Sequence, residues 1–362
     1  LCVFYTLDRR VIGGGPSGML CSAVAAERGR DIILLEPQRI LGRKLRITGK
    51  GRCNVTNNCD VKEMMRNIPG DGRFLYSALN KFPPASTMEL FERLGVKLKT
   101  ERGNRVFPVS DNANDVAAAL IAYMKRSGVR IEKCSALKVL TENGAVVGVK
   151  TVICTGGLSY PLTGSTGWGF EAAKALGHTV IPAKASLVPL ESDDEYCAEM
   201  QGFSLKNVAL SAFEDDKLVY HEQGEMLFTH FGVSGPLVLS ASAHMRRFGE
   251  CKYRLEIDLK PALDEKKLDA RLLRDFEKYI NRDFANALGD LAGRAMIPVL
   301  IKLSGIAPDT KVNSITREQR HALLRLFKAF PVSVCGTRPV TEAIVTSGGV
   351  SRCFFRLRSV RR

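Results

Sequence analysis

The chain has 362 residues, 45% hydrophobic and 25% charged, with a formal net charge of +15. That length exceeds one simple core, so two or three domains are expected. No run of about eighteen apolar residues occurs, so no membrane span is expected, and residues 1–7 lack the basic region and cleavage site of a secretory signal.

The ten cysteines are scattered, without a CxxC pair or zinc-ligand spacing. This reads as reduced thiols in a cytoplasmic protein without a metal site. The excess of cations attracts polyanions in general. No aromatic or helical readout element is evident, so the charge is read as solvated surface plus phosphate binding, and nucleic acid is not the expected partner.

Val11-Ile12 runs directly into Gly13-Gly14-Gly15-Pro16-Ser17-Gly18. An apolar helix is expected over about 19–28, stopped by Gly29, and a buried strand over 31–36. Gly13 permits the tight turn, Gly15 lets the backbone approach a pyrophosphate, and Gly18 lets the helix pack on the strand. Pro16 and Ser17 belong to the same turn and are counted among the cofactor-binding residues, and the helix N-terminus offers free N–H groups and a positive dipole end to the phosphates. Glu36, ending the second strand, is placed to accept a ribose hydroxyl, which favours FAD or NAD over NADP.

Residues 41–57 form a glycine-punctuated basic segment in which backbone amides with Arg43, Lys44 and Arg52 are placed to clamp a pyrophosphate. A plain dehydrogenase continues into a helix there; this segment reads as a ligand loop. Within it, Gly42-Arg43-Lys44-Leu45-x-Ile47-Thr48-Gly49-x-Gly51-Arg52-Cys53-Asn54-x-Thr56-Asn57 resembles the BaiN/YhiN-type FAD-dependent oxidoreductases, the aminoacetone-oxidase-like FAD-binding enzymes that include a 3-dehydro-bile-acid reductase group. Further blocks follow in the family order: Arg105 to Ser110, Cys154 to Gly167, Leu227 to Pro236 and Thr346 to Val350. The resemblance implies an FAD site that also uses Thr48, Gly51, Cys53, Asn54, Thr155, Gly156 and Gly157. Cys53 and Cys59 have five residues between them, where flavin disulfide reductases have four, and are not read as a redox pair.

A helix is expected over 112–126, strands over 129–149 broken by a turn at 142–144, and a buried strand over 151–157 ending in paired glycines. From about 189 to 258 the alternation suits an antiparallel sheet or barrel, with turns at Asp193-Asp194 and Asp215-Asp216. Helices are expected over 263–282, 287–303 and 316–330, the last with a Thr316/Gln319 capping box. Ser234-Gly235-Pro236 makes a helix start with serine as the cap.

The expected fold is α/β: a Rossmann-like FAD-binding domain of the two-dinucleotide-binding flavoprotein type, with an inserted β-rich domain and a small helical subdomain. The expected boundaries are 1–187 for the FAD domain, 188–262 plus 331–346 for the β-barrel-like insert, 263–330 for the helices, and 347–362 for a truncated or aberrant return. The resemblance implies hydride transfer from NADH or NADPH through flavin N5 to an activated C=C of a small organic enone, with Tyr160 or His230 as donor to the carbonyl oxygen. Two alternatives stand beside it: a flavoprotein acting on RNA, and a truncated non-catalytic remnant. The remnant reading rests on departures from the family pattern. Asp8-Arg9-Arg10 stands where an apolar first strand belongs, leaving only Val11-Ile12. There is almost no room for a returning strand before Thr151, and an arginine-rich stretch follows Val350 where the family has a closing glycine-acid motif.

Overall fold

The structure is a computed structural model and describes residues 9–133 and 150–351. The expected turn at 142–144 lies outside them. The chain divides into two units, residues 1–184 with 346–362, and 185–345.

In the first unit the elements run β1 (Arg9–Ile12), α1 (Pro16–Glu27), β2 (Ile32–Leu35), α2 (Arg43–Ile47), β3 (Thr56–Asn57), α3 (Val61–Arg66), α4 (Tyr76–Lys81) and α5 (Pro84–Arg93). They continue with β4 (Leu98–Glu101), β5 (Arg105–Pro108), α6 (Ala113–Arg126), β6 (Arg130–Glu132), β7 (Lys150–Ile153), α7 (Trp168–Ala175) and β8 (Val180–Ser186). Four strands form a parallel sheet ordered β6-β2-β1-β7, with Ile12 opposite both Leu35 and Ile153. Counted along the chain this order is 3-2-1-4, that of a Rossmann-like mononucleotide-binding half. Helices α1 and α6 bury Met19, Ala23, Val116, Leu120 and Met124 with Val11, Ile32 and Leu34 of the sheet. The Asn112 side chain caps α6 by accepting from the Asn114 amide at 3.0 Å.

Three expectations change here. The first strand is four residues long and includes Arg9 and Arg10, which are half-buried. Parallel pairing on both sides satisfies their backbone groups, and ladder bonds are indifferent to side-chain charge. β7 is not buried: among the described residues it is the last strand of this sheet, paired only to β1, and Lys150, Thr151 and Val152 are exposed. The basic segment after Glu36 is not wholly a loop, since Arg43–Ile47 is a turn and a half of helix entered through Gly42 at φ 67°.

The second unit holds β9 (Leu190–Glu191), α8 (Glu195–Glu199), β10 (Ser204–Glu214), β11 (Lys217–Thr229), β12 (Gly232–Ser234), α9 (Pro236–Ser242), β13 (Tyr253–Asp258), α10 (Glu265–Lys278), α11 (Ile297–Ser304), α12 (Arg317–Lys328), β14 (Phe330–Val334) and β15 (Gly336–Thr337). β16 (Val345–Val350), which from Thr346 on belongs to the first unit, pairs there with β8. The antiparallel sheet is ordered β14-β13-β10-β11-β12-β9-β15, and Asp215-Asp216 makes the β10–β11 turn. Leu210, Phe228, Leu255 and Ile257 from strands share one core with Leu272, Leu300 and Phe327 from helices. The Thr316/Gln319 capping box is present, and Asp264 caps α10 by accepting from the Lys267 amide at 2.8 Å.

Helix α11 is shorter than the 287–303 expected: Pro298 has no N–H to give and is confined to the first turn, so the helix begins at Ile297. The cap of α9 is Gly235, not Ser234, which ends β12. Gly235 holds φ 100°, and a Cβ there would lie 2.8 Å from Met226 Cα, so the chain turns at a residue without a side chain.

Leu255 is fully buried in the second core while Leu273 on α10 is 46% exposed. Leu255→Ala is expected to cost about 2–5 kcal/mol and Leu273→Ala less than about 1 kcal/mol. Urea denaturation compares them, and equal shifts would contradict this core.

Candidate functional site

The C-terminal ends of β1, β2 and β7 surround a cavity of about 410 Å³. It lies where a 3-2-1-4 sheet reverses its winding, the place where such sheets bind ligands. Ile12 to Ser17, Leu35 to Gln38 and Cys154 to Gly157 form its walls, with Arg43 and Lys44 from α2, residues 163–166 from the loop before α7 and Trp168 from the first turn of α7.

The glycine turn is fixed by close backbone approach. Gly13 holds φ 108°, and a Cβ there would collide with the Cys154 carbonyl. A Cβ on Gly18 would collide with the carbonyl of Gly13, so the helix packs where only glycine fits. Gly15 differs from both: a Cβ on it would meet nothing within 4 Å, so the space above it is open cavity. The N-terminus of α1 has Gly15 as cap, no side-chain capping bond and no acidic residue in its first turn. Its uncapped amides and dipole therefore present a positive end to the cavity. This open cradle fits a dinucleotide pyrophosphate.

Glu36 lies across from it. One carboxylate oxygen accepts the Gly14 amide at 2.6 Å and the other the Gln38 amide at 2.9 Å. Both bonds fix the carboxylate at the cavity wall, where lone pairs remain for a hydroxyl donor. Arg43 donates to the Gln38 side chain at 2.8 Å, and Lys44 Nζ donates to Ser159 Oγ at 2.6 Å. Burial pushes the Lys44 ammonium below the ordinary lysine range. Burial raises the Cys154 thiol, against an opposing hydrogen bond from Ser17.

Of the residues expected to hold a cofactor, the cavity gathers Gly13, Gly15, Pro16, Ser17, Glu36, Arg43, Lys44, Thr155, Gly156 and Gly157. Gly18 sits behind the turn as a packing residue. Thr48, Gly51, Arg52, Cys53 and Asn54 do not line this cavity. The Arg52 guanidinium is ion-paired to Glu101 and Asp111 and stacks 4.1 Å above the Phe107 ring, so it ties the segment to the small sheet of β3, β5 and β4. Cys53 is buried in the core with a raised thiol pKa, again from burial, and Cys53 and Cys59 are both free thiols. Tyr160 and His230 belong to different units, both exposed. Gln38, Ser165, Thr166 and Trp168 also line the cavity without having been singled out from sequence. The last three fall in or just after the Cys154–Gly167 block, which was the available signal.

Among the described residues no helix is long and apolar enough to cross a membrane, and no group of three or more His, Cys, Asp or Glu side chains is placed to hold a metal.

Because Gly15 is extended and its missing side chain faces open space, Gly15→Val should fold normally, within about 0.5 kcal/mol, yet weaken dinucleotide binding about tenfold or more by filling the cradle. Equilibrium binding beside a thermal melt checks this. Unchanged affinity would remove the pyrophosphate from this turn.

Known proteins agree with this architecture. The family model described as the HI0933-like protein Rossmann domain matches residues 7–356. The chain is 30% identical over 353 residues to the ribosomal RNA dihydrouridine synthase of Escherichia coli, covering 95% of this chain and 85% of that one. It is 27% identical over 358 residues to the 3-dehydro-bile acid delta(4,6)-reductase of Clostridium scindens, covering 94% and 86%. It is 26% identical over 356 residues to the ribosomal RNA dihydrouridine synthase of Haemophilus influenzae, covering 94% and 85%. The chain therefore belongs to the HI0933-like Rossmann family, the FAD-dependent oxidoreductases that its motifs resemble.

Proposed function

We propose that this chain binds FAD in the cavity at the ends of β1, β2 and β7 and reduces a C=C bond conjugated to a carbonyl, with NADH or NADPH as the hydride donor. The observation that carries this reading is the uncapped α1 N-terminus beneath the open Gly15 cradle, with Glu36 fixed at the same wall. FAD, when bound, supplies a two-electron carrier between nicotinamide and substrate. The α1 amides take the pyrophosphate, Glu36 accepts a ribose hydroxyl, and Lys44 places a cation beside the cavity. The two activities named for the relatives share one chemical unit: a 3-keto-4-ene in one and the C5=C6–C4=O of uracil in the other are both C=C bonds conjugated to a carbonyl.

Hydride arriving at the far carbon of such a bond drives charge onto the carbonyl oxygen. A donor must meet that charge, and Tyr160 or His230 is the proposed donor. The substrate class is a small enone of the 3-dehydro-bile-acid type. A second reading, a uracil base in RNA, is favoured by the net charge of +15 and by the names of two relatives.

Anaerobic stopped-flow with pre-reduced enzyme tests both. Tyr160→Phe or His230→Ala should slow flavin reoxidation by an enone about 10²–10³-fold, the range for one lost oxyanion donor. Normal rates in both variants would refute the donor assignment. For the RNA reading, uridine-containing RNA should reoxidise the flavin, with binding that weakens steeply between about 50 and 200 mM salt. Binding insensitive to salt, or no reoxidation, would exclude it.

A further inference from the structure

Tyr160 has a backbone feature that composition does not explain. It holds φ 53° and ψ 61°, the left-handed region, in a bulky residue without a short polar side chain to support it. Such a conformation persists only where its surroundings fix it. The loop that carries it is fixed from three sides, all within the first unit. Within the loop, both the backbone amide and the hydroxyl of Thr163 donate to the Tyr160 carbonyl, at 2.9 and 2.7 Å. From the cavity side, Lys44 Nζ donates to the Oγ of buried Ser159 and stands 5.5 Å from the centroid of the Tyr160 ring. From the opposite end of the sequence, Thr346 at the start of β16 offers its hydroxyl oxygen to two consecutive amides, Leu158 at 2.9 Å and Ser159 at 3.2 Å.

That double acceptance uses both lone pairs of one hydroxyl. It also depends on a glycine: a Cβ on Gly157 would lie 2.6 Å from Thr346 Oγ1, so a side chain there would push the hydroxyl off the loop. β16 is itself held against β8 by close contact, since a Cβ on Gly348 would lie within 3.1 Å of the Pro182 carbonyl carbon. The Ser351 amide, just beyond, donates to Thr179 at 2.8 Å. Thr346 is thus a fixed point to which the cavity loop is tied.

We propose that Thr346 is a positioning residue: its hydroxyl, with Lys44 as the second anchor, holds the 158–160 backbone so that Tyr160 stands beside the cofactor cavity. It touches neither substrate nor cofactor and acts through the loop. The proposal rests on the reading of Tyr160 given above, so its test includes signals that do not depend on turnover. Trp168, the single tryptophan of the chain, supplies one. It follows Gly167, against which the Leu158 side chain packs, and it lines the cavity.

The experiment uses the full chain with Thr346→Val, which keeps the shape and removes the acceptor, and Thr346→Ser, which keeps the acceptor. Acrylamide quenching of Trp168 is measured without cofactor, and visible circular dichroism of bound flavin with it. The kcat and KM of enone reduction complete the set. Thr346→Val should raise the quenching constant, alter the flavin signal and lower kcat about tenfold, the scale of one lost hydrogen-bonded anchor, with KM changed less than about twofold. Thr346→Ser should restore all three. Unchanged quenching and dichroism in Thr346→Val would overturn the proposal whatever the activity, and so would altered spectra with unchanged kcat. A wild-type chain inert toward every enone would sink the reading of Tyr160 as a donor, while the quenching and dichroism would still decide whether Thr346 holds the loop.

Discussion

The site depends on one close approach. Three strand ends meet at Gly13: its amide donates to Leu35 at 2.9 Å, the Cys154 amide donates to Ile12 at 2.7 Å, and the Cys154 carbonyl occupies the space a side chain on Gly13 would need. Helix α1 then packs through Gly18 onto the Gly13 carbonyl. Because these contacts are backbone on backbone, they leave little freedom in where the α1 N-terminus points. The turn, the helix dipole and the β7 end are set together, and the cavity follows from that geometry.

The same constraint explains the division of labour among the basic residues. Arg43 and Lys44 sit on the short helix α2, held to the turn by the Gly42 amide donating to the Gly14 carbonyl at 2.9 Å, and so reach the cavity. Arg52 lies eight residues further on, past a segment in which Gly49, Lys50 and Gly51 all adopt positive φ. The path Gly49-Lys50-Gly51 carries Arg52 to Glu101, Asp111 and Phe107. Two clusters that look alike in sequence therefore end in different places: one lines the cavity, the other braces the scaffold.

This also marks how far the sequence could be read. The strand–turn–helix–strand unit was legible because glycine has a local reason to be there, backbone approach, and Glu36 was legible as the acid that ends the second strand at the cavity wall. The capping box at Thr316 and the turn at Asp215 were legible for the same reason. The fate of Arg52 was not, since ion pairing to Glu101 and Asp111 depends on contacts 49 and 59 residues away. Nor was the four-residue β1, because local reading weighed the charges of Arg9 and Arg10 and could not see a parallel partner on each side. The left-handed Tyr160 and its tie to Thr346 were equally hidden, as no pattern of residue types announces a hydroxyl that accepts two amides, 188 and 187 residues away.

The central claim is that the cavity over Gly15 seats FAD. Trp168 lines that cavity and is the only tryptophan, so its emission reports occupancy directly. Titration of the cofactor-free chain with FAD should quench that emission saturably at one FAD per chain. Emission that stays unchanged as FAD is added, or that falls without saturating, would contradict the account.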